Sequence, residues 1–287
     1  MNLDSAIKSS MTKLPAFPAT VHRVTSLINN PDSSMTELVD VIRLDQAITA
    51  NILRMCNSAY FGLRHKVDNV QDAIMYLGRQ NIVRAVMAAG TSRFFKNTPG
   101  YEAEAKDLWE HAVGTALLAQ ILARKILRRE DSSLFTAAIL HDIGKIVLGE
   151  FVRDKYAEIK KIVSEQSRSF LEAEEKVLGM NHATLGGMIA ANWKFPEDIR
   201  NAIAFHHRPD RLPSKTDPMP WIVHLADQGC IMLGIGRGAD GLAYEGLDGA
   251  MNCLGLSQQD FEEALAQLVR EMDSARDMVG IVQSTAN

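Results

Sequence analysis

His141 and Asp142 are neighbours at the close of the apolar run Ala137-Ala138-Ile139-Leu140, and Lys145 follows three residues later. One imidazole and one carboxylate presented at a single helix end suit a hard or borderline cation. His111, His182, the pair His206-His207 and Asp227 lie around them at wide spacing. Six of the eight histidines fall after residue 110, and five of those six stand where a metal cluster can use them.

A metal site drawn from separate helices needs ligands pointing inward at one depth of a bundle. His111, His141, Asp142 and Asp227 supply two imidazoles and two carboxylates, enough for one divalent cation with positions left for water. Adding His182, His206 and His207 gives donors for a second cation, with Asp142 as the natural bridge. Two metals about 3.5–4 Å apart can clamp the oxygens of a phosphoester during in-line attack. Lys145, roughly one turn beyond Asp142, is placed to offer a cation to a phosphate oxygen, so Asp142 and Lys145 are the candidate catalytic residues. No cysteine joins the set, which favours iron, manganese or a similar ion over structural zinc.

Taken singly, any of these histidines is more often an ordinary hydrogen-bonded residue than a ligand. The set resists that reading because its members fall at helix ends and on apolar helices. His182 is its weakest member, since a histidine at a helix start can simply cap. His224, one turn before Asp227, is expected to support or pack rather than ligate. His22 and His65 are background, and Glu110 is expected to face solvent.

Helical periodicity runs through nearly the whole chain, predicting an all-α fold: a multi-helix bundle with an N-terminal helical subdomain. Val21, Val24, Leu27 and Ile28 mark one amphipathic face; Met35, Leu38, Val39 and Ile42 mark the next, opened by a capping box at Ser34 and Glu37. Asp45 caps a third helix reaching Asn57, Gly78 ends a fourth, and Gly90 a fifth. Asn97-Thr98-Pro99-Gly100 is the clearest break. A long helix then covers about 106–127 and carries His111, and Ser132 or Ser133 caps a short one delivering His141-Asp142. Ser169 and Glu172 form a second capping box ahead of Gly179. His182 opens a helix ending near Trp193, Pro196 starts the one bearing His206-His207, and Asp227 rides on 221–233. A last helix carries Phe261, Leu265, Leu268 and Met272. These elements divide as 1–100 (N-terminal helical part), 101–233 (metal-site bundle) and 234–287 (glycine-rich loop and final helix). Gly234-Ile235-Gly236-Arg237-Gly238 follows no strand and is not a nucleotide fingerprint.

The bulk numbers set limits. With 46% hydrophobic and 23% charged residues the chain reads as an ordinary globular protein. Residues 1–100 carry 11 Lys/Arg against 7 Asp/Glu and the remainder 20 against 28, so the halves differ (+4 and −8). Neither half has the clustered cations of a nucleic-acid footprint. Cys56, Cys230 and Cys253 are scattered, which argues against a disulfide framework and for a reducing compartment. No stretch approaches a signal peptide or the ~20 apolar residues of a membrane span. A cytoplasmic protein with no membrane and no nucleic-acid partner is expected; the oligomeric state is open.

The order His111, His141-Asp142, Asp227 resembles the HD phosphohydrolase superfamily. Leu14-Pro15-x-x-Pro18, Leu44-Asp45-Gln46-Ala47, the run Asn51 to Gly62, Asp72-Ala73-Ile74 and Leu77-Gly78 resemble the HDOD (HD-related output domain) family within it. Trp193, Phe195-Pro196, Ala202-Ile203, His206-His207 and His224-Leu225-Ala226-Asp227 continue the likeness to about residue 230. The resemblance implies an N-terminal helical part packed on an HD-like bundle and a role in bacterial signalling. Many members of that family have lost their metal ligands, whereas this chain keeps them. Its fuller set resembles the HD-GYP cyclic-dinucleotide phosphodiesterases at His182 and His206-His207, but Arg208-Pro209-Asp210 follows where Gly-Tyr-Pro would stand. Only 13 residues precede Leu14, so no fused sensor domain is expected at that end. Two functions follow: a regulatory module binding a signalling protein partner or small phosphorylated ligand, its metal structural or sensory, or a metal-dependent phosphohydrolase acting on a nucleotide or phosphodiester. Asn57 and Tyr60 either shape a functional surface or serve as packing and turn residues, and the second reading carries more weight.

Overall fold

A computed structural model describes residues 3–30, 32–57, 65–92, 94–95, 98–101, 104–166, 168–212, 217–236 and 247–283. Tyr60, Asn97 and most of the glycine-rich stretch after Gly236 lie outside the described residues. Every regular element among the described residues is helical. No described helix is long and apolar enough to cross a membrane. The chain forms two compact units, one of residues 1–15 and 94–268, the other of 16–93 and 269–287.

The second unit is built from α2 (Ala19–Asn29), α3 (Met35–Arg43), α4 (Gln46–Cys56) and α5 (Val70–Ser92). Its core is the set of apolar residues that repeat at helical spacing: Val21, Val24, Leu38, Val39, Ile42, Ile52, Ile74, Ile82 and Val86 are all buried. Met35, grouped by spacing with the α3 face, is instead 42% exposed, because it opens the helix where the face has not yet met its neighbours. Ser34 and Glu37 make the reciprocal capping box expected of them. Asp45 accepts from the Ile48 amide at 3.1 Å and so starts α4. Gly78 breaks the helical path inside α5 with φ 75°, a left-handed value that glycine tolerates. Just beyond it, Arg79 donates to the Leu27 and Ser33 carbonyl oxygens at 2.6 and 3.2 Å, satisfying the end of α2. Gly90 does not end a helix. A side chain there would drive into Val21, so its smallness lets α2 lie close against α5.

The first unit contains α1 (Leu3–Met11), α6 (Ala105–Ile126), α7 (Ser132–Leu140), α8 (Ile143–Gln166), α9 (Phe170–Leu178), α10 (His182–Asn192), α11 (Glu197–Phe205), α12 (Met219–Met232), α13 (Leu247–Leu254) and the start of α14 (Gln258–Gln283). α6 is the central rod, buried along nearly its whole length from Leu108 to Ala123 and packed against α7 and α12. Gly229 of α12 sits against Leu118 of α6 and Leu265 of α14, where any side chain would collide with both. Ser169 and Glu172 form the second capping box, and Gly179 ends α9 at φ 82°. Two start signals differ from expectation. Asp131, not Ser132 or Ser133, caps α7, its carboxylate accepting from the Ser133 and Leu134 amides at 2.9 and 3.1 Å, because a carboxylate one residue earlier reaches both free amides. Pro196 stands at the cap of α11 rather than inside its first turn.

Asn57 closes the excursion between α4 and α5. Its side chain accepts from the Val67 amide and donates to the Val67 and Leu53 carbonyl oxygens, all within 2.6–2.7 Å. That is the packing and turn role. Replacing Asn57 with Ala strands these groups, and a destabilisation of about 1–3 kcal/mol is expected from the urea midpoint. An unchanged midpoint contradicts the staple.

Candidate metal centre

The seven ligand candidates arrive from five places in the first unit. His111 lies in the second turn of α6, His141 and Asp142 occupy the two-residue join of α7 and α8, and Lys145 follows in α8. His182 is the first residue of α10, His206 and His207 follow α11, and Asp227 rides on α12. All converge. Among the described residues, ligand atoms of Asp142, His182, His206 and His207 lie within 4.8 Å of one another, and so do those of His111, His141 and Asp227. No side chain in the set, Lys145 included, is more than 7% exposed.

Asp142 joins the two groups by dividing its oxygens. Oδ1 faces His182 Nε2 at 3.4 Å and His206 Nε2 at 3.8 Å. Oδ2 faces His141 Nε2 at 3.3 Å and His111 Nε2 at 3.8 Å, and takes the Lys145 ammonium at 2.6 Å. Asp227 behaves similarly, with Oδ1 at 3.0 Å from His111 Nε2 and Oδ2 at 3.7 Å from His207 Nδ1. Neighbouring ligands on one ion with bonds of roughly 2.1 Å stand roughly 3–3.5 Å apart, and these separations sit close to that range.

The reverse side of three of the rings fixes which nitrogen faces inward. His111 Nδ1 pairs with the Ile235 carbonyl at 3.1 Å, His141 Nδ1 with the Ala138 carbonyl at 2.7 Å, and His206 Nδ1 with the Ile203 carbonyl at 2.7 Å. A carbonyl only accepts, so each Nδ1 carries a proton and each ring, while neutral, turns a lone pair inward at Nε2. Metal-binding histidines are held in this way. At His111, Nε2 lies 3.0 Å from Asp227 Oδ1; while the ring is neutral with its proton on Nδ1 these are two acceptors, so a proton or a metal ion must stand between them. His141 Nε2, Asp142 Oδ1 and His206 Nε2 are buried and make no hydrogen bond among the described residues. Buried polar atoms are rarely left so. The residues fit a divalent metal.

Electrostatics follow the same layout. Burial works against the Asp142 anion, but His141 and Lys145 outweigh it and hold the carboxyl well below its usual value. Burial also opposes the His141 cation, yet Asp142 and Asp227 leave that ring raised. Burial and then His141 lower His206 to about 3. Burial, then His206, holds His207 well below the ordinary imidazole value.

Glycines permit the convergence. A side chain on Gly144 would run into the His182 carbonyl and crowd Gly186, so α8 and α10 can cross only with hydrogen there. Gly236, at φ 69°, lies on His111 in the same manner. His224 proves to be a support: its Nδ1 pairs with the His206 carbonyl at 2.8 Å, tying α12 to the His206-His207 corner. Glu110, expected to face solvent, is 14% exposed and lies 3.7 Å from Lys106, one turn back on α6. Glu174 and Tyr101 escaped the sequence reading. Glu174 is fully buried; it accepts from His182 Nδ1 at 2.7 Å and from the Tyr101 hydroxyl. A signal existed, because Glu174 interrupts the apolar stripe Phe170, Leu171, Leu178 of α9.

Gly144→Ala is expected to push α10 off α8, lowering the urea midpoint and abolishing uptake of metal by the four-ligand group; full uptake contradicts the crossing. The metal-free protein is also expected to lose stability on acidification. Between pH about 6.5, the unfolded value for histidine, and about 3, the unfolded chain binds a proton at His206 that the folded chain refuses, so stability falls with pH across that window. The lowered carboxyl of Asp142 adds to the loss once pH drops into the carboxylate range. The raised His141 opposes it, contributing stability that is lost as pH rises. Urea midpoints between pH 7 and 4 check the sum, and a flat or rising profile toward acid contradicts it.

Comparison with known proteins identifies the family and the fold. The chain matches the HDOD domain family over residues 14–209. An HDOD domain protein of unknown function from Geobacter sulfurreducens shares 25% identity over 98% of this chain and 96% of its own, with a TM-score of 0.77. A structure from Shewanella amazonensis SB2B, named "Putative phosphohydrolase", has the same fold at 22% identity and a TM-score of 0.72, covering 97% and 98% of the two chains. A protein of Treponema pallidum (strain Nichols), named only as uncharacterized, is 24% identical over 221 residues, 76% of this chain. The match takes in 42% of that relative's length. With more than half its length accounted for by one family and the ligand order His, His-Asp, Asp gathered in one buried centre, the chain belongs to the HDOD domain family.

Proposed function

We propose that this chain is a regulatory HDOD domain organised around a two-cation centre, through which it engages a signalling protein partner or a small phosphorylated ligand. The observation that carries the reading is the division of Asp142 between two histidine groups, four of whose five rings have their outer nitrogen already held. His111, His141 and Asp227 would hold one ion, His182, His206 and His207 the other, with Asp142 shared. Nitrogen and oxygen donors without sulfur suit iron or manganese. Because the ligands come from five segments, loading ties α6, α8, α10, α11 and α12 together. That makes the centre suited to a structural or sensory task, reporting metal to whatever surface the partner reads.

A second reading, hydrolysis of a phosphodiester or nucleotide, is supported by the ligand count and by Lys145. Bound there, a pair of divalent cations supplies Lewis acidity and a water acidified enough to act as a nucleophile at neutral pH. Seven ligand residues leave room for water on two ions of ordinary coordination number. The chain's own residues would do three things. Asp142 keeps the two ligand groups in register. Lys145, 2.6 Å from Asp142 Oδ2 and 5.7 Å from the centroid of the Tyr101 ring, fixes that carboxylate's rotamer. Its ammonium has three donors, so it can hold Asp142 and also bind a phosphate oxygen. The closed surroundings keep bulk water from screening these charges.

Metal analysis of protein purified without chelator tests the first reading. About two equivalents of transition metal are expected, falling below about a tenth of an equivalent in Asp142→Ala. Metal-poor wild-type protein contradicts both readings. A phosphatase and phosphodiesterase panel then separates them. Turnover present in wild type and absent in Asp142→Ala establishes hydrolysis, whereas a metal-loaded protein without turnover leaves the regulatory role.

A further inference from the structure

Among the ligand histidines, His111, His141 and His206 rest their outer nitrogens on backbone carbonyls, which a side-chain substitution leaves in place. His182 differs. Its Nδ1 meets the Glu174 carboxylate at 2.7 Å, and Glu174 also accepts from the His182 backbone amide at 2.9 Å. The Tyr101 hydroxyl donates to the other oxygen of the same carboxylate. Glu174, Tyr101 and His182 are all 0% exposed. Three donors around one buried carboxylate leave its two oxygens well satisfied, which a group in such surroundings requires.

We propose that Tyr101 and Glu174 are a positioning pair that fixes His182 with its proton on Nδ1, and thereby sets the capacity of the four-ligand group for its cation. The inference rests on the two-cation reading above and sharpens it. A carboxylate can only accept, so the proton faces Glu174 and the lone pair at Nε2 faces inward, 2.9 Å from His207 Nε2 and 3.4 Å from Asp142 Oδ1. The opposite tautomer would place a hydrogen where the ion belongs. Tyr101 is itself held by geometry. It ends the short 3-10 turn Pro99–Tyr101, and Gly100 in that turn lies so close to the Gly149 carbonyl and the Arg153 amide of α8 that no side chain fits. Its ring edge faces His182, with centroids 6.3 Å apart, and the Lys145 ammonium lies 5.7 Å from its centre. Glu174 bonds to His182 of the four-ligand group, and among the described residues none of its hydrogen bonds reaches His111, His141 or Asp227. Its removal should therefore be felt on one ion and not on the other.

Glu174→Gln tests this, because the glutamine amide can donate to Nδ1 and favour the wrong tautomer. Mn²⁺ binding to the metal-free full chain is measured by equilibrium dialysis. Wild type is expected to take two equivalents; Glu174→Gln should keep the first and weaken the second at least about tenfold. Tyr101→Phe, which keeps the ring and loses the hydroxyl, should fall between. Both equivalents retained at wild-type affinity in Glu174→Gln overturns the proposal. So does an equal loss of both, which is what a merely structural role would give. Nitrogen-15 spectra of the metal-free wild type give an answer that needs no variant to fold: His182 should carry its proton on Nδ1, and a proton on Nε2 overturns the proposal. Wild type that binds no Mn²⁺ removes the two-cation reading and the proposal with it, while one retained equivalent in wild type fails the reading of two ions alone and is told apart by the tautomer.

Discussion

A carboxylate buried at the join of two helices, with imidazole lone pairs on both sides, needs positive charge near it. Asp142 is that carboxylate, and Lys145 supplies only part of what the surroundings ask for. Every other feature of the centre follows from satisfying it. The carbonyls behind His111, His141 and His206 turn their Nε2 atoms inward, so those rings cannot donate to Asp142 while neutral. The arrangement leaves a deficit of cations in a place with little water to screen it. A proton or a metal must make it up, and the paired ligand groups suit the metal.

Steric constraints do the assembling. The join between α7 and α8 presents Asp142 only if α10 can bring His182 across α8, and hydrogen at Gly144 is what allows that approach. Gly236 does the same on the far side of His111, delivering the Ile235 carbonyl to its Nδ1. His224 then reaches from α12 to the last carbonyl before His207. These contacts are short and rigid, drawn from helices whose cores are almost wholly apolar. Rigid support of this kind keeps ligands in place when no ion is there to organise them.

Much of this was legible in the residue order. The seven candidate ligands are marked by type and by position at or near helix ends and on apolar helices, and the folded chain gathers all seven into two adjacent groups. The helical class followed from periodicity, and the boxes at Ser34 and Ser169 from cap chemistry. What escaped has a common cause. Asp131 displaced the serines as a cap because reach, not residue preference, decides between adjacent candidates. Gly90 and Gly144 read as punctuation or as nothing, since the need for a missing side chain is set by a distant helix. Tyr101 lies 73 residues from Glu174 in the chain, and no local pattern couples them. Glu174 alone left a trace, as a charge within an apolar stripe.

The shared use of Asp142 by two ions is tested most directly by anomalous diffraction from crystals grown with Mn²⁺. Two peaks are predicted, one among His111, His141 and Asp227 and one among His182, His206 and His207, with Asp142 between them. A map with no peak within bonding distance of Asp142 would contradict the account, leaving the buried charges to be balanced by protons alone.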